Sequence, residues 1–376
     1  MSINSALKKE GIRVVGKLNT LEVNKIATII SESIANSFPE HSINQNDLFI
    51  SISRLNMYIA EMPNDMAMAK YFYKNNSIYF SKNMNLDDLN TLAVHECIHF
   101  MQELKNNSGK LLRLGLYNPK TGNGMAINEA AVQHMASVAT EAKTDNVKYY
   151  NMELSTISPD FYPIQTTLLN EMIYFTGSYA LYHSTFYSND VFKNTFIAKS
   201  SAKTYSKIEK NFDLIFEYEA LLSNEIHKLS LYSNNTEKDA EKIQKINNKI
   251  DSLKNIIFEK TLETQNIILQ NCFEKEFNSI RTIEDIKNFR EHLYNFKNVL
   301  IYAENYNYFN EFYIEMTNRL EEKQEFIEKY GNILTAQSIT NELTSVQENT
   351  YGFQFFKTLF SKLKLLFEEF VREKDY

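Results

Sequence analysis

Apolar and polar positions follow two different rhythms along the chain. Up to residue 200, short apolar runs alternate with turn residues; beyond it, apolar residues recur every three or four positions over long spans. In the first part, Gly11–Gly16 is a β-branched run that predicts a strand. Thr20–Phe38 carries Leu21, Ile26, Ile29, Ile30 and Ile34 near helical spacing and ends at Pro39, which predicts a helix. Leu48–Ser53 alternates in part, as a strand does, and Asn56–Ala60 predicts another. Tyr71-Phe-Tyr73 and Ile78-Tyr-Phe80 flank the turn signal Lys74–Ser77, so two strands are expected there. Asn85 is the expected cap of the next helix, with Asp87 and Asp88 where carboxylates suit the helix dipole. That helix is expected to run through Leu89, Leu92 and Ile98 to Leu104 and to stop at Asn106–Gly109. A loop at Asn118–Gly124 precedes an alanine-rich helix, Met125–Thr140.

The second part predicts a bundle. Positions 208, 212, 215, 222, 226 and 229 mark one helix over Tyr205–Leu231. After the polar turn Tyr232–Thr236, Ile243, Ile246, Ile250, Leu253 and Ile257 mark a second, and the two suit an antiparallel hairpin. Thr282–Asp285 resembles a capping box for a third helix. A fourth is expected over Tyr308–Tyr330, stopped by Gly331. Phe353–Tyr376 is denser in apolar residues, with Lys357, Lys362 and Lys364 among them; it reads as a closing helix of the bundle, or as a basic amphipathic helix for a membrane or partner. The expected fold class is therefore α+β, followed by a largely α-helical bundle, in three parts: 1–110, 111–200 and 201–376.

Composition agrees with that division. All five prolines lie at or before Pro163 and seven of nine glycines at or before Gly177, so turns concentrate in the first part. With 26 Phe and 23 Tyr the chain cannot be mainly a solvated coil. A net charge of −7 argues against a nucleic-acid partner, since phosphate binding needs a basic face. Two cysteines exclude a disulfide scaffold and a Cys-rich zinc ribbon. Met1–Leu21 lacks the apolar core of a leader, and no run of 18 apolar residues exists to span a membrane. The expected location is cytoplasmic, with leaderless export left open.

One motif carries chemistry. His95-Glu96-Cys97-Ile98-His99 is H-E-x-x-H inside a predicted helix, directly after a strand hairpin. Each residue turns a helix by ~100°, so the two imidazoles lie ~40° apart on one face and reach a common metal ion, while Glu96 is set ~100° to the side. Bound Zn²⁺ lowers the pKa of its water towards ~7, and a carboxylate there can take the proton. The bland alternative is a helix with two surface histidines. Cys97, ~200° from His95, belongs to the core. A third protein ligand is usual. The longer pattern with glycine at 102 and histidine at 105 is absent, since Gln102 and Lys105 stand there. Glu103, Glu129, His134 and Glu141 remain as candidates.

H-E-x-x-H followed by a helix bearing Asn128-Glu129-Ala130 resembles the gluzincin zinc metallopeptidases, the thermolysin-like clan. The resemblance covers residues 11–140. It implies a zincin-like mixed sheet, an active-site helix and a second helix whose Glu129 completes a zinc site with His95 and His99. It implies Glu96 as general base, a peptide or protein substrate, and an edge strand, Ile78–Phe80 or Tyr71–Tyr73, that pairs with extended peptide. The family often has Asp four residues beyond the ligand Glu, bonded to a ligand histidine. Gln133 stands there; it can orient an imidazole without raising its basicity as a carboxylate does. For the oxyanion donor, the Tyr-rich stretch offers His183 first, with Tyr149, Tyr150, Tyr162 and Tyr182 behind it. The expected activity is zinc-dependent peptide hydrolysis. The alternative is a non-catalytic zincin-like interaction protein whose C-terminal helices bind a partner or a second copy.

Overall fold

The computed structural model describes residues 3–63, 68–84, 91–232, 237–304 and 306–346. Its elements run α1 (Ile3–Lys9), β1 (Arg13–Lys17), α2 (Thr20–Ser37), α3 (Gln45–Ser53), β2 (Asn56–Glu61), β3 (Ala69–Phe72), β4 (Ser77–Ser81) and α4 (Thr91–Met101). Then come β5 (Glu103–Lys105), β6 (Leu111–Leu114), α5 (Met125–Ala139), β7 (Asp145–Tyr149), β8 (Met152–Thr156), α6 (Pro163–Thr176), α7 (Ser178–Tyr187) and α8 (Val191–Lys199). The chain continues through α9 (Ala202–Ser230), α10 (Glu237–Ser279), α11 (Ile283–Asn295), β9 (Tyr302–Ala303) and α12 (Tyr308–Val346). The fold is mixed α+β, with a small mixed sheet and a helical C-terminal region.

The sheet has the order β1-β2-β4-β3, with β2 and β4 parallel and the other pairs antiparallel. Every residue of β4 is buried, as a central strand requires. β3 is the edge beside α4. α2 begins in a capping box between Asn19 and Glu22 and buries Val23, Ile26, Ile30 and Ile34.

Local chemistry redirected two expected elements. Leu48–Ser53 is helical, within α3, and not a strand. Asn44 caps it by accepting from the Asp47 N–H at 3.0 Å, and Leu48 and Ile52, four apart, are its buried pair. The H-E-x-x-H helix ends at Met101, not Leu104; Glu103–Lys105 pairs with β6. Asn106–Gly109 is the hairpin turn, where the Asn106 side chain accepts from Ser108 and Lys110 N–H groups and Gly109 takes φ +76°. A turn signal of this type ends a helix or reverses a strand equally well. Gly331 does not stop α12, which continues to Val346. Asn85, with Asp87 and Asp88, and the segment Phe353–Tyr376 lie outside the described residues.

Compactness divides the chain into two units, Met1–Ile280 with Asn288–Met316, and Arg281–Lys287 with Thr317–Tyr376. In the first, α9 and α10 form an antiparallel pair: Thr204 bonds Asn271, Asn211 bonds Thr264 and Lys249 bonds Glu225, stepping in opposite directions. α9 also packs on α5, and α10 on α6. In the second unit, Thr282 and Asp285 bond each other's backbone N–H reciprocally, and Ile286, Leu320 and Ile327 are buried. Among the described residues, no helix is long and apolar enough to cross a membrane.

Candidate metal centre

α4 is buried on nearly all its faces because β3 and α5 pack against it. His95, Glu96 and His99 are therefore inside, at 4%, 8% and 8% exposure, and are not surface histidines. α5 is a helix of small residues, with Ala126, Ala130 and Ala131 fully buried, which lets it approach α4. Its start is closed from α9: both carboxylate oxygens of Asp213 accept backbone N–H groups, Gly124 at 3.0 Å and Ala126 at 2.9 Å. Glu129 follows one turn later.

Among the described residues, His95, His99 and Glu129 form a cluster able to hold a metal ion. His95 Nε2 lies 2.9 Å from His99 Nε2, and Glu129 Oε2 lies 3.4 Å from each. A triangle with those sides has a circumradius of about 1.9 Å, so a point about 2.0–2.1 Å from all three atoms exists, the distance of Zn–N and Zn–O bonds. Two imidazoles and one carboxylate are a zinc-type donor set that leaves a fourth position open. Behind the ring nitrogens stand two carboxamides: Gln133 Oε1 is 3.0 Å from His95 Nδ1, and Gln102 is 2.6 Å from His99 Nδ1. Both glutamines are 1% exposed.

The carboxylates are poised differently. Burial alone would raise Glu129, but His99 and His95 beside it hold it well below the usual carboxylate range. Burial pushes Glu96 up to about 7, against the opposing pull of His95 and of the Tyr71 N–H, which donates to its Oε2 at 2.6 Å. Since Tyr71 N–H faces Glu96, it points away from β4, at the free edge of β3.

These groups line a cleft of about 700 Å³. Leu92, Leu111, Leu114, Met125, Phe161 and Phe216 make its walls largely apolar. Tyr162 also lines it, immediately before Pro163, with φ +54°. Burial, then the carboxylates of Glu129, Glu96 and Glu219, hold its hydroxyl protonated above the usual tyrosine range, and it bonds to Glu129.

His183 is not among the residues lining this cleft. It lies on α7, with Asn189 Nδ2 at 3.0 Å from its Nδ1 and the rings of His41, Tyr179 and Tyr187 around it. Tyr182 lies 3.4 Å from His134 Nε2, and Tyr149 and Tyr150 line a separate cavity beside α10. Of the sequence candidates for the oxyanion donor, Tyr162 is the one at the cleft. Glu103 is drawn to Lys105 and Tyr71, and Cys97 is fully buried. Sequence reasoning missed Gln102 and Phe216 as neighbours of the cluster, and it named Tyr71 as part of an edge strand without its bond to Glu96. Gln102 had a signal, since it follows His99 by three positions and shares its helical face. Phe216 had none, because it reaches the cleft from α9, over one hundred residues away. Comparison of the chain with protein-family models, curated proteins and solved structures gives no match.

Proposed function

We propose that the protein is a zinc-dependent peptidase of gluzincin type. The convergence of His95, His99 and Glu129 on one point, with Glu96 alongside, carries this reading. These three side chains would hold Zn²⁺, which would supply Lewis acidity at the cleft. Glu96 takes a proton from the attacking water and delivers it to the leaving amine. Its burial beside His95 keeps its basicity near neutrality, where a shuttle works in both directions. The protonated Tyr162 hydroxyl donates to the carbonyl oxygen as negative charge develops there. The free edge of β3 aligns an extended peptide through backbone hydrogen bonds, and the apolar walls exclude water from the reacting groups.

Glu96→Gln separates metal binding from chemistry. We expect the variant to retain one zinc per chain and to lose peptide cleavage by about 10²–10⁴-fold. Equal cleavage of a mixed peptide pool by wild type and variant ends this reading. Stoichiometric zinc without cleavage by the wild type favours the non-catalytic alternative.

A further inference from the structure

We infer that Gln102 is a positioning residue of the metal centre: it fixes the proton and the aim of His99, and Gly115 makes room for it. The inference rests on the metal-binding reading above.

An imidazole that offers Nε2 to a metal carries its proton on Nδ1, and that proton needs an acceptor. His95 has Gln133 Oε1. At His99 the neighbour is the carboxamide of Gln102, whose nitrogen lies 2.6 Å from Nδ1 and whose oxygen is buried without a hydrogen-bond partner. The two ends of a carboxamide exchange by a half turn. Turned, the oxygen accepts the Nδ1 proton of His99, and the NH₂ group takes the orphaned position. Asn128 Oδ1, which accepts the Leu116 N–H at 2.9 Å, borders the same space above Gly115 and has a second lone pair to offer.

Gly115 has φ +55°, and a Cβ on it would overlap both Gln102 Oε1 and Asn128 Oδ1. The surrounding backbone is clamped as well: Ser188 Oγ accepts from Gly115 N–H at 2.7 Å and donates to the Gln102 carbonyl. Gly115 and Ser188 thus seat the end of α4 so that Gln102 meets His99. Both imidazoles are then oriented by neutral groups. A carboxylate in either place would make the imidazole a stronger donor.

The test is zinc affinity of the full chain, measured by competition with a chromophoric chelator, with circular dichroism as the check on folding. Gln102→Glu keeps the shape, supplies only acceptors and adds charge; we expect zinc to bind about tenfold tighter. Gln102→Leu removes the acceptor, and Gly115→Ala displaces it; we expect each to weaken zinc by about 10–100-fold. A merely structural glutamine would not give opposite signs in the two Gln102 variants. Zinc binding by wild type with both Gln102 variants within twofold of it overturns the inference and leaves the metal centre standing. No zinc binding by wild type overturns both.

Discussion

His134, five residues beyond Glu129, is buried with its Nε2 3.4 Å from the Tyr182 hydroxyl. Burial pushes its pKa down to about 4 from an ordinary value of 6.5. Between those values the unfolded chain binds a proton that the folded chain does not, so stability falls as pH drops through that window and is fully present above it. In the presence of a metal chelator, wild type should lose about 3 kcal/mol more than His134→Gln between pH 7 and pH 4. Urea unfolding at the two pH values measures this, and an equal loss in both proteins would contradict the assignment. At this scale the sequence was informative where chemistry is local. His95, Glu96 and His99 are spaced by the helix itself. His183 comes first in the Tyr-rich stretch on residue type and region, which do not fix where a side chain sits, and it lies on α7 among rings. Tyr162 reaches the cleft because a left-handed residue before Pro163 aims it there, which no spacing rule contains.

Elements were legible where one signal dominates. The periodic run from Leu21 to Ile34 and the stop at Pro39 marked α2, and the structure adds the capping box at Asn19. At the start of α3 the Asn44 side chain accepts the Asp47 N–H alone; partial alternation over Leu48–Ser53 suggested a strand, and the cap prevailed. α5 shows why such reasoning has a limit. Its own start, Gly124, has no side chain to cap it, and the two N–H bonds come from Asp213 on α9. Asp213→Ala should therefore cost about 1–2 kcal/mol, by loss of the cap and of a favourable charge at the helix start. Thermal unfolding of the metal-free chain would register it as a lowered midpoint. An unchanged midpoint would show that water replaces the carboxylate without cost.

On the scale of the whole molecule, the helical part closes the core of the first compact unit. Phe273 of α10 packs against Phe175 of α6, Phe289 of α11 and Phe296, with ring centroids 5.0–5.7 Å apart. It is fully buried, so Phe273→Ala should destabilise the chain by about 3–5 kcal/mol through lost burial and the cavity left behind. Chemical denaturation followed by circular dichroism measures this; a cost below about 1 kcal/mol would mean that the cluster collapses around the gap. Helix α9 brings Phe216 to the cleft and Asp213 to α5, so the change in proline content at residue 200 does not mark independence of the His95–His99–Glu129 cluster.

By itself the sequence determined what depends on neighbours a few residues apart. This covers the H-E-x-x-H face, the strand pair before it, and the long amphipathic helices, because backbone periodicity converts such spacing directly into geometry. The tertiary structure decided the rest. It set the meeting of Glu129 with the two histidines, the carboxamide of Gln133 behind His95, the place of Tyr162 at the cleft and the contribution of α9. Those contacts join residues from thirty to more than one hundred positions apart, and they exist only because the small residues of α5 let buried helices pack closely enough to bring a few polar groups to one point.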